Sequence, residues 1–226
     1  EEVGYPASEF QAIVPLPFNL IGSEKIGILR GERSFIDGFT SSFSTGIPLF
    51  GGSMSRTSFK VTEKQAQMVA DPSIERSVIK DLKSDLPILV LWSKEPLTHE
   101  EQFMLDLSTK IFENENLGLY SLNIADINAG VVNYRRSISE RGAILTDPDR
   151  FFNESQKINA SIGKILLDST IFCDSVGQMV DVSYWVKMEQ TVADLVSTRI
   201  KVSGEPEYLN ESVLNAINSP NVIDGW

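Results

Sequence analysis

This chain has little of what enzymes most often use. Among 226 residues there is one cysteine, Cys173, and one histidine, His99. A single cysteine excludes an internal disulfide and a cysteine-based zinc site. Cys173 follows Ile171 and Phe172, the pattern of a buried strand end where a thiol is inert. A serine hydrolase needs a histidine within reach of its serine, and His99 stands at a helix start, the ordinary place of an exposed first-turn residue. Positive charge is also scarce: 20 Lys and Arg face 31 Asp and Glu, a net charge of −11. Such a field repels nucleic acid and anionic lipid. The one compact basic group, Arg135-Arg136 with Arg141 nearby, reads as a solvated turn. Long apolar runs are missing too. The stretch Phe10 to Gly22 is too short to span a bilayer and is broken by Pro15 and Pro17. No transmembrane helix is expected. The start at Glu1-Glu2 without Met reads as a processed or trimmed end, and export followed by cleavage is one explanation.

What is present points to an α/β fold. Leu86-Pro-Ile-Leu-Val-Leu-Trp92 is a continuous apolar run, the mark of a central strand covered on both faces. Thr98 and Glu101 form a capping box. Phe103, Met104, Leu107 and Ile111 then recur at helical spacing, Asn114 and Asn116 end that helix, and Leu117 to Ile124 is the next strand. This spacing predicts a βαβ unit with parallel strands and one core shared by Ile88, Val90, Phe103, Leu107, Leu119 and Leu122. Upstream, helix starts are expected at Thr62, capped with Gln65, and at Asp71-Pro72 before Ile74, Val78, Ile79 and Leu82. Residues 125–146 read as irregular and polar. A helix follows at Asp147-Pro148, then strands over Lys164–Phe172, Met179–Lys187 and Val192–Val202, and Asn210 caps a short last helix. The expected architecture is α/β, a mixed sheet in the order β-α-β-α-β-β-β within residues 61–226.

Residues 1–60 differ in composition and read as a β- and loop-rich extension. Gly38 to Ser55 holds no charged residue. Gly46-Ile-Pro-Leu-Phe-Gly-Gly52 favours turns, while the apolar side chains need a surface to cover. Two readings stand: a flap on the chain's own core, or an arm that docks on a partner. In the second, Phe39, Phe43, Ile47, Leu49 and Phe50 are the partner-binding residues.

Catalytic motifs are incomplete. Gly51-Gly-Ser-Met-Ser55 lacks the last glycine of a nucleophile elbow. Ser77-x-x-Lys80 and Ser161-x-x-Lys164 lack the companion motifs that give that spacing weight. Asp126-Ile-Asn128-Ala-Gly130 opens like a calcium loop, but its glycine comes one residue early and no bidentate glutamate follows. No catalytic, cofactor-binding or metal-binding residue is assigned. The sequons at Asn153, Asn159 and Asn210 are at the frequency expected by chance in an Asn- and Ser-rich chain.

The order of elements from about Leu86 to Gly204, with the small-residue turn in Ala160-Ser-Ile-Gly-Lys-Ile-Leu-Leu167, resembles a periplasmic α/β module. That module occurs in the N-terminal domain of TolB, the curli secretion channel subunit and lipoprotein activators of penicillin-binding proteins. Tyr5-Pro-Ala-Ser-Glu-Phe10 is similar to a Tyr-Pro-Ala-Ser-Asn-Phe segment of the curli channel, with Glu9 in place of Asn. No pore role is carried over. A thioredoxin-like resemblance competes, in Pro87 to Trp92, Leu122-Asn-Ile124 and Tyr134. Pro96 and His99 stand where its cysteines would be, so that reading implies a redox-inactive adaptor. Together these readings imply an exported, non-enzymatic protein that binds other proteins. It would act as a homo-oligomer or within a multi-subunit envelope or secretion assembly, without cofactor or nucleic acid. An enzyme whose carboxylates meet only in the fold is the remaining alternative.

Overall fold

The fold is taken from a computed structural model that describes residues 6–23, 26–53, 57–140, 195–201 and 208–215. In chain order these form β1 (Ala12–Leu16), β2 (Leu20–Ser23), β3 (Ile26–Ile28), α1 (Glu32–Thr45), β4 (Gly52–Ser53) and α2 (Phe59–Ala66). Then come β5 (Ile88–Trp92), α3 (His99–Asp106), β6 (Thr109–Glu113), β7 (Gly118–Leu122), α4 (Ile124–Glu140), β8 (Leu195–Lys201) and β9 (Tyr208–Asn215). The class is α/β, as the sequence implies.

A four-stranded mixed sheet runs β1-β5-β7-β6. β1 lies parallel to β5, with Ala12 opposite Ile88 and Leu16 opposite Trp92. The apolar run at Leu86–Trp92 is indeed a central strand. The predicted parallel βαβ unit is corrected, because β5 and β7 pair antiparallel. α3 ends at Asp106 rather than at Asn114 and Asn116. The β-favouring Thr109, Ile111 and Phe112 instead form β6, antiparallel to β7. Asn114 makes the turn between them rather than ending a helix: its N–H donates to the Leu117 carbonyl at 2.9 Å. Its Oδ1 accepts from the N–H groups of Asn116 and Leu117, both at 2.8 Å. This extra reversal of direction is why β7 meets β5 head to tail.

Alternation along the strands divides the sheet into two faces. One carries Ala12, Val14, Leu16, Ile88, Val90, Tyr120 and Leu122, packed with Phe18, Met104, Leu105 and Ile127. The three-stranded sheet β3-β2-β4 joins this core through Leu20, Ile26 and Ile28. The other face carries Ile13 and Leu91 with Phe10 and Ile47, and half-buried Leu89, Ile111, Leu117 and Leu119. The expected single core is therefore split: Ile88, Val90 and Leu122 face one way and Leu119 the other, while Leu107 and Phe103 are half-buried.

Three local expectations change. α2 begins at Phe59 with Ser58 as N-cap, and Thr62 is a buried interior residue whose hydroxyl donates to the Ser58 carbonyl at 3.2 Å. Asp71-Pro72 opens a turn rather than a helix, and only Ser77–Asp81 is helical, as a 3-10 segment. The reason is Arg76. Its buried guanidinium donates to the carbonyls of Ala70 (2.6 Å), Asp71 (2.9 Å) and Ile74, diverting acceptors that an α-helix would use. Residues 125–140, within the stretch expected as irregular, are helical, together with Ile124. Ile127 and Val131 recur at i and i+4 and are buried, so a period hidden among Asp, Asn and Gly carried the fold. Arg135 and Arg136 therefore lie on α4 and not in a turn.

Where a last helix was expected at Asn210, β9 pairs antiparallel with β8, Asn210 opposite Ile200 and Glu211 opposite Arg199. β8 matches the expected strand over Val192–Val202. Cys173, the Asp147 helix, Ser161 to Lys164, Arg141, the strands expected between 164 and 187, and the sequons at Asn153 and Asn159 lie outside the described residues.

Candidate functional site

Two places merit a chemical reading. The first is the crevice past the carboxyl ends of the parallel strands β1 and β5, where open α/β sheets commonly bind ligands. Ser93 closes the strand pair there, its N–H donating to the Leu16 carbonyl at 3.0 Å. Asn19 is buried and acts as a clasp. Its amide donates to the Gly31 carbonyl and Ser34 Oγ, both at 2.8 Å, and its Oδ1 accepts from the Arg30 N–H at 2.9 Å. The Leu16–Pro17 peptide beside it is cis.

The starts of α1 and α3 converge on this crevice, and each is closed by a carboxylate of the chain itself. α1 has Gly31 as N-cap and no side-chain cap of its own. Glu95, from the segment after β5, supplies one: its Oε2 accepts from the Ser34 N–H at 3.0 Å. α3 is closed by the capping box that the sequence showed. Glu101 Oε2 accepts from Thr98 N–H at 2.9 Å, and Thr98 Oγ1 accepts from Glu101 N–H at 3.3 Å. The other oxygen of Glu101 accepts from Phe18 N–H at 2.8 Å. Glu101 is 1% exposed, and both of its carboxyl oxygens are satisfied by these backbone donors. A shallow depression of about 440 Å³ opens nearby, lined by Leu29, Arg30, Pro96, Leu97, Thr98 and Glu101. Helix N-termini attract anions, but here internal carboxylates already fill that role and would oppose a phosphate or carboxylate ligand. The crevice is built to hold loops together.

The second place is α1, and its orientation is unusual. The helix lies on β1 through its small residues. Ser34 and Gly38 are buried, and a Cβ on Gly38 would stand 3.0 Å from Pro15 Cβ and 3.3 Å from Leu49 Cδ1. The bulky side chains point the other way. Ile36 is 63% exposed, Phe39 43% and Phe43 93%, with Phe35 against Phe39 at a ring-centroid distance of 4.8 Å. These residues follow i, i+3, i+7, one side of a helix. Gly46, at φ 73°, ends α1 in the left-handed conformation, its N–H donating to the Ser42 carbonyl at 2.9 Å.

The structure thus divides the five predicted partner-binding residues. Phe39 and Phe43 lie on the outward stripe. Ile47 and Phe50 are buried and Leu49 is half-buried. The segment carrying these last three runs along β1. Ile13 N–H donates to the Pro48 carbonyl, and Phe50 N–H to the Ile13 carbonyl, each at 2.8 Å. The second half, Ile47 to Phe50, is a flap on the chain's own core, whereas Phe43 stands exposed and Phe39 partly so. Ile36, outside the five, joins the outward stripe, and its helical spacing to Phe39 and Phe43 is the signal that marks it. α1 and the half-buried Leu89, Ile111, Leu117 and Leu119 share one side of the sheet.

Other candidates resolve into structural roles. His99 is exposed at the first position of α3. The hydroxyl of Ser77 donates to Gln67, and Lys80 pairs with Glu75 at 2.6 Å, so the two are engaged separately. Gly130, part of the calcium-loop likeness, is a packing residue: a Cβ there would stand 2.7 Å from Leu107 Cδ1. Burial pushes the Arg76 guanidinium down to about 10, with Asp71 pulling the other way. Among the described residues, no group of three His, Cys, Asp or Glu side chains could hold a metal ion. Among them also, no helix is long and apolar enough to cross a membrane. Comparison with protein-family models, with curated proteins and with solved structures finds no match.

Proposed function

We propose that this chain is a non-catalytic, exported binding protein that docks on a protein partner through the outer face of α1. The observation that carries this reading is the inversion of α1, with Ser34 and Gly38 inward and Ile36, Phe39 and Phe43 outward. Helices of globular proteins turn the apolar stripe to the core. Phe43, 93% exposed, forgoes roughly 1.5–3 kcal/mol of burial. Phe39, partly covered by Phe35 and Gly52, forgoes a smaller share. A partner surface would recover both. The self-capped crevice also supports a role in binding rather than catalysis, since its carboxylates are engaged with backbone donors. The exported, envelope or secretion setting is carried only by the sequence resemblance over residues 86–204, whose strand–helix–strand order is altered here by β6.

The test is site-specific photo-crosslinking in the cells that make the protein, with benzoylphenylalanine replacing Phe43 or, as a control, the exposed Asn133 on α4. The expected result is a discrete protein adduct from position 43, absent from position 133 and lost when Ile36→Asp is added. The same adducts from both positions, or none from 43, would sink the reading.

A further inference from the structure

Resting on that reading, we infer that the partner is a second copy of this chain, bound across a two-fold axis with the two α1 helices antiparallel. The first argument is charge. A net charge of −11 makes two copies repel at a distance. At physiological salt that repulsion is screened beyond about 8 Å. Contact therefore favours a face without acidic side chains. Gly38 to Ser55 has no charged residue, and its exposed part is the second half of α1. In the first half of the helix Asp37 is paired with Arg33 at 3.5 Å, off the apolar stripe. Glu32, four residues before Ile36, continues the stripe at its N-terminal end. A parallel pair would set the two Glu32 side chains on the same end of the seam. An antiparallel pair crossing near Phe39 sets each Glu32 end on the uncharged Ser41–Thr45 half of the other copy. It also opposes the helix dipoles.

The second argument is shape. Ile36, Phe39 and Phe43 are spaced three and then four residues apart, the alternation of a coiled-coil seam rather than of a broad core-facing stripe. The helix spans 14 residues, about 21 Å. It is a ridge and not a groove, and an identical ridge can interdigitate with it. A two-fold interface requires such a self-complementary patch. A bilayer fits less well. Interfacial helices hold Lys and Arg on their polar face, whereas here Ser34 and Gly38 on that side are packed on β1. A strongly charged partner would find only Glu32, at one end of the seam, to pair with.

The third argument is area. A large aromatic side chain covers roughly 150–250 Å². At their observed exposures, Ile36, Phe39 and Phe43 offer on the order of 300–400 Å² per copy. The half-buried Leu89, Ile111, Leu117 and Leu119 on the same side of the sheet can extend this. Over both copies the three side chains give about 600–800 Å², below the roughly 1,200 Å² of a stable specific interface and in the range of weak, transient ones, so the dimer should be weak, reversible and concentration-dependent.

Sedimentation and light scattering of the full chain across a wide concentration range test this. The wild type should shift from the mass of one chain, 25.1 kDa, toward twice that mass as concentration rises. Phe43→Asp should raise the dissociation constant at least about tenfold with unchanged circular dichroism and melting temperature, because Phe43 touches solvent and not the core. Geometry is tested with Cys173→Ser as background. Phe39→Cys, near the axis, should oxidise to a covalent dimer, and Phe43→Cys should not. A disulfide through position 43 but not 39 overturns the antiparallel arrangement. A dimer that survives Phe43→Asp overturns the α1 interface. A wild type that stays monomeric while position 43 crosslinks to a different protein overturns this inference and leaves the docking function standing. A monomer that floats with phosphatidylcholine vesicles, and loses this with Phe43→Asp, overturns both.

Discussion

α1 and α4 use the same device to opposite ends. Each comes close to its neighbours at a glycine: Gly38 against Pro15 and Leu49, Gly130 against Leu107 and Phe103. In α4 the residues flanking that contact on the buried side are apolar, Ile127 and Val131, and the outward residues include Asn133, Arg135 and Arg136. In α1 the buried partner of the glycine is Ser34, and the outward residues are Ile36, Phe39 and Phe43. α4 is held by what it buries. α1 is held by close backbone approach, by its borrowed cap and by the chain on either side of it. The comparison teaches that a helix can be secured to a fold by its small residues, which frees its apolar side for another surface.

The comparison can be broken most forcefully in the core. Ile127→Ala should cost about 2–5 kcal/mol and Phe50→Ala about 3–5 kcal/mol in chemical denaturation, because both side chains belong to the main core cluster. A loss below about 0.5 kcal/mol for Ile127→Ala would put α4 outside the core and end the contrast with α1.

Next come the caps. Glu101→Ala leaves the N–H groups of Phe18 and Thr98 without their acceptor, one of them far away in the chain. Unsatisfied buried donors are expensive, and about 2–4 kcal/mol should be lost. Glu95→Ala removes one acceptor, at Ser34, from a half-buried site, and about 1 kcal/mol is expected. Equal losses would show that α1 depends on its borrowed cap as much as α3 depends on its capping box.

The glycines separate the two helices further. Ala at 38 would press on Pro15 Cβ, a ring atom that cannot swing aside, so Gly38→Ala should destabilise by about 1 kcal/mol even after its gain in helix propensity. Ala at 130 meets the end of the Leu107 side chain, which can rotate, so Gly130→Ala should be neutral or stabilising by up to about 1 kcal/mol. Melting temperatures of the two variants decide it, and a reversed order would mean that α1 is the looser helix.

Much of this was legible in the sequence where a local rule acts alone. Thr98 and Glu101 announced their box, and the run before Trp92 announced a central strand. The errors occurred where one group overrode a local signal. Arg76 took the carbonyls that an Asp71-Pro72 helix needed, and Asn114 turned the chain so that Ile111 joined a strand. Asn210 carried a capping residue's signature into β9, where pairing with β8 decided the conformation. The exposed stripe of α1 was legible by half. Composition found Phe39 and Phe43 but grouped them with Ile47 and Phe50, because an uncharged Ser, Thr and Gly stretch hid the helical period of Ile36, Phe39 and Phe43. Glu95 as the cap of α1 bridges 61 residues of chain, and no local pattern could reveal it.

The smallest expected effect is the most informative. Phe43→Ser should change stability by no more than about 0.5 kcal/mol when measured at a concentration where the chain is monomeric. The reason is its exposure of 93%, which leaves almost no buried area to lose. Serine already occupies positions 41, 42 and 44 of the same turn, so the helix tolerates it. Set beside Phe50→Ala, this one pair separates the two halves of the charge-free stretch: one anchors the fold and the other is spare. If Phe43→Ser instead costs as much as Phe50→Ala, the side chain is buried in solution. The stripe on α1 would then belong to the chain's own core, and both the docking face and the paired helices would fail together.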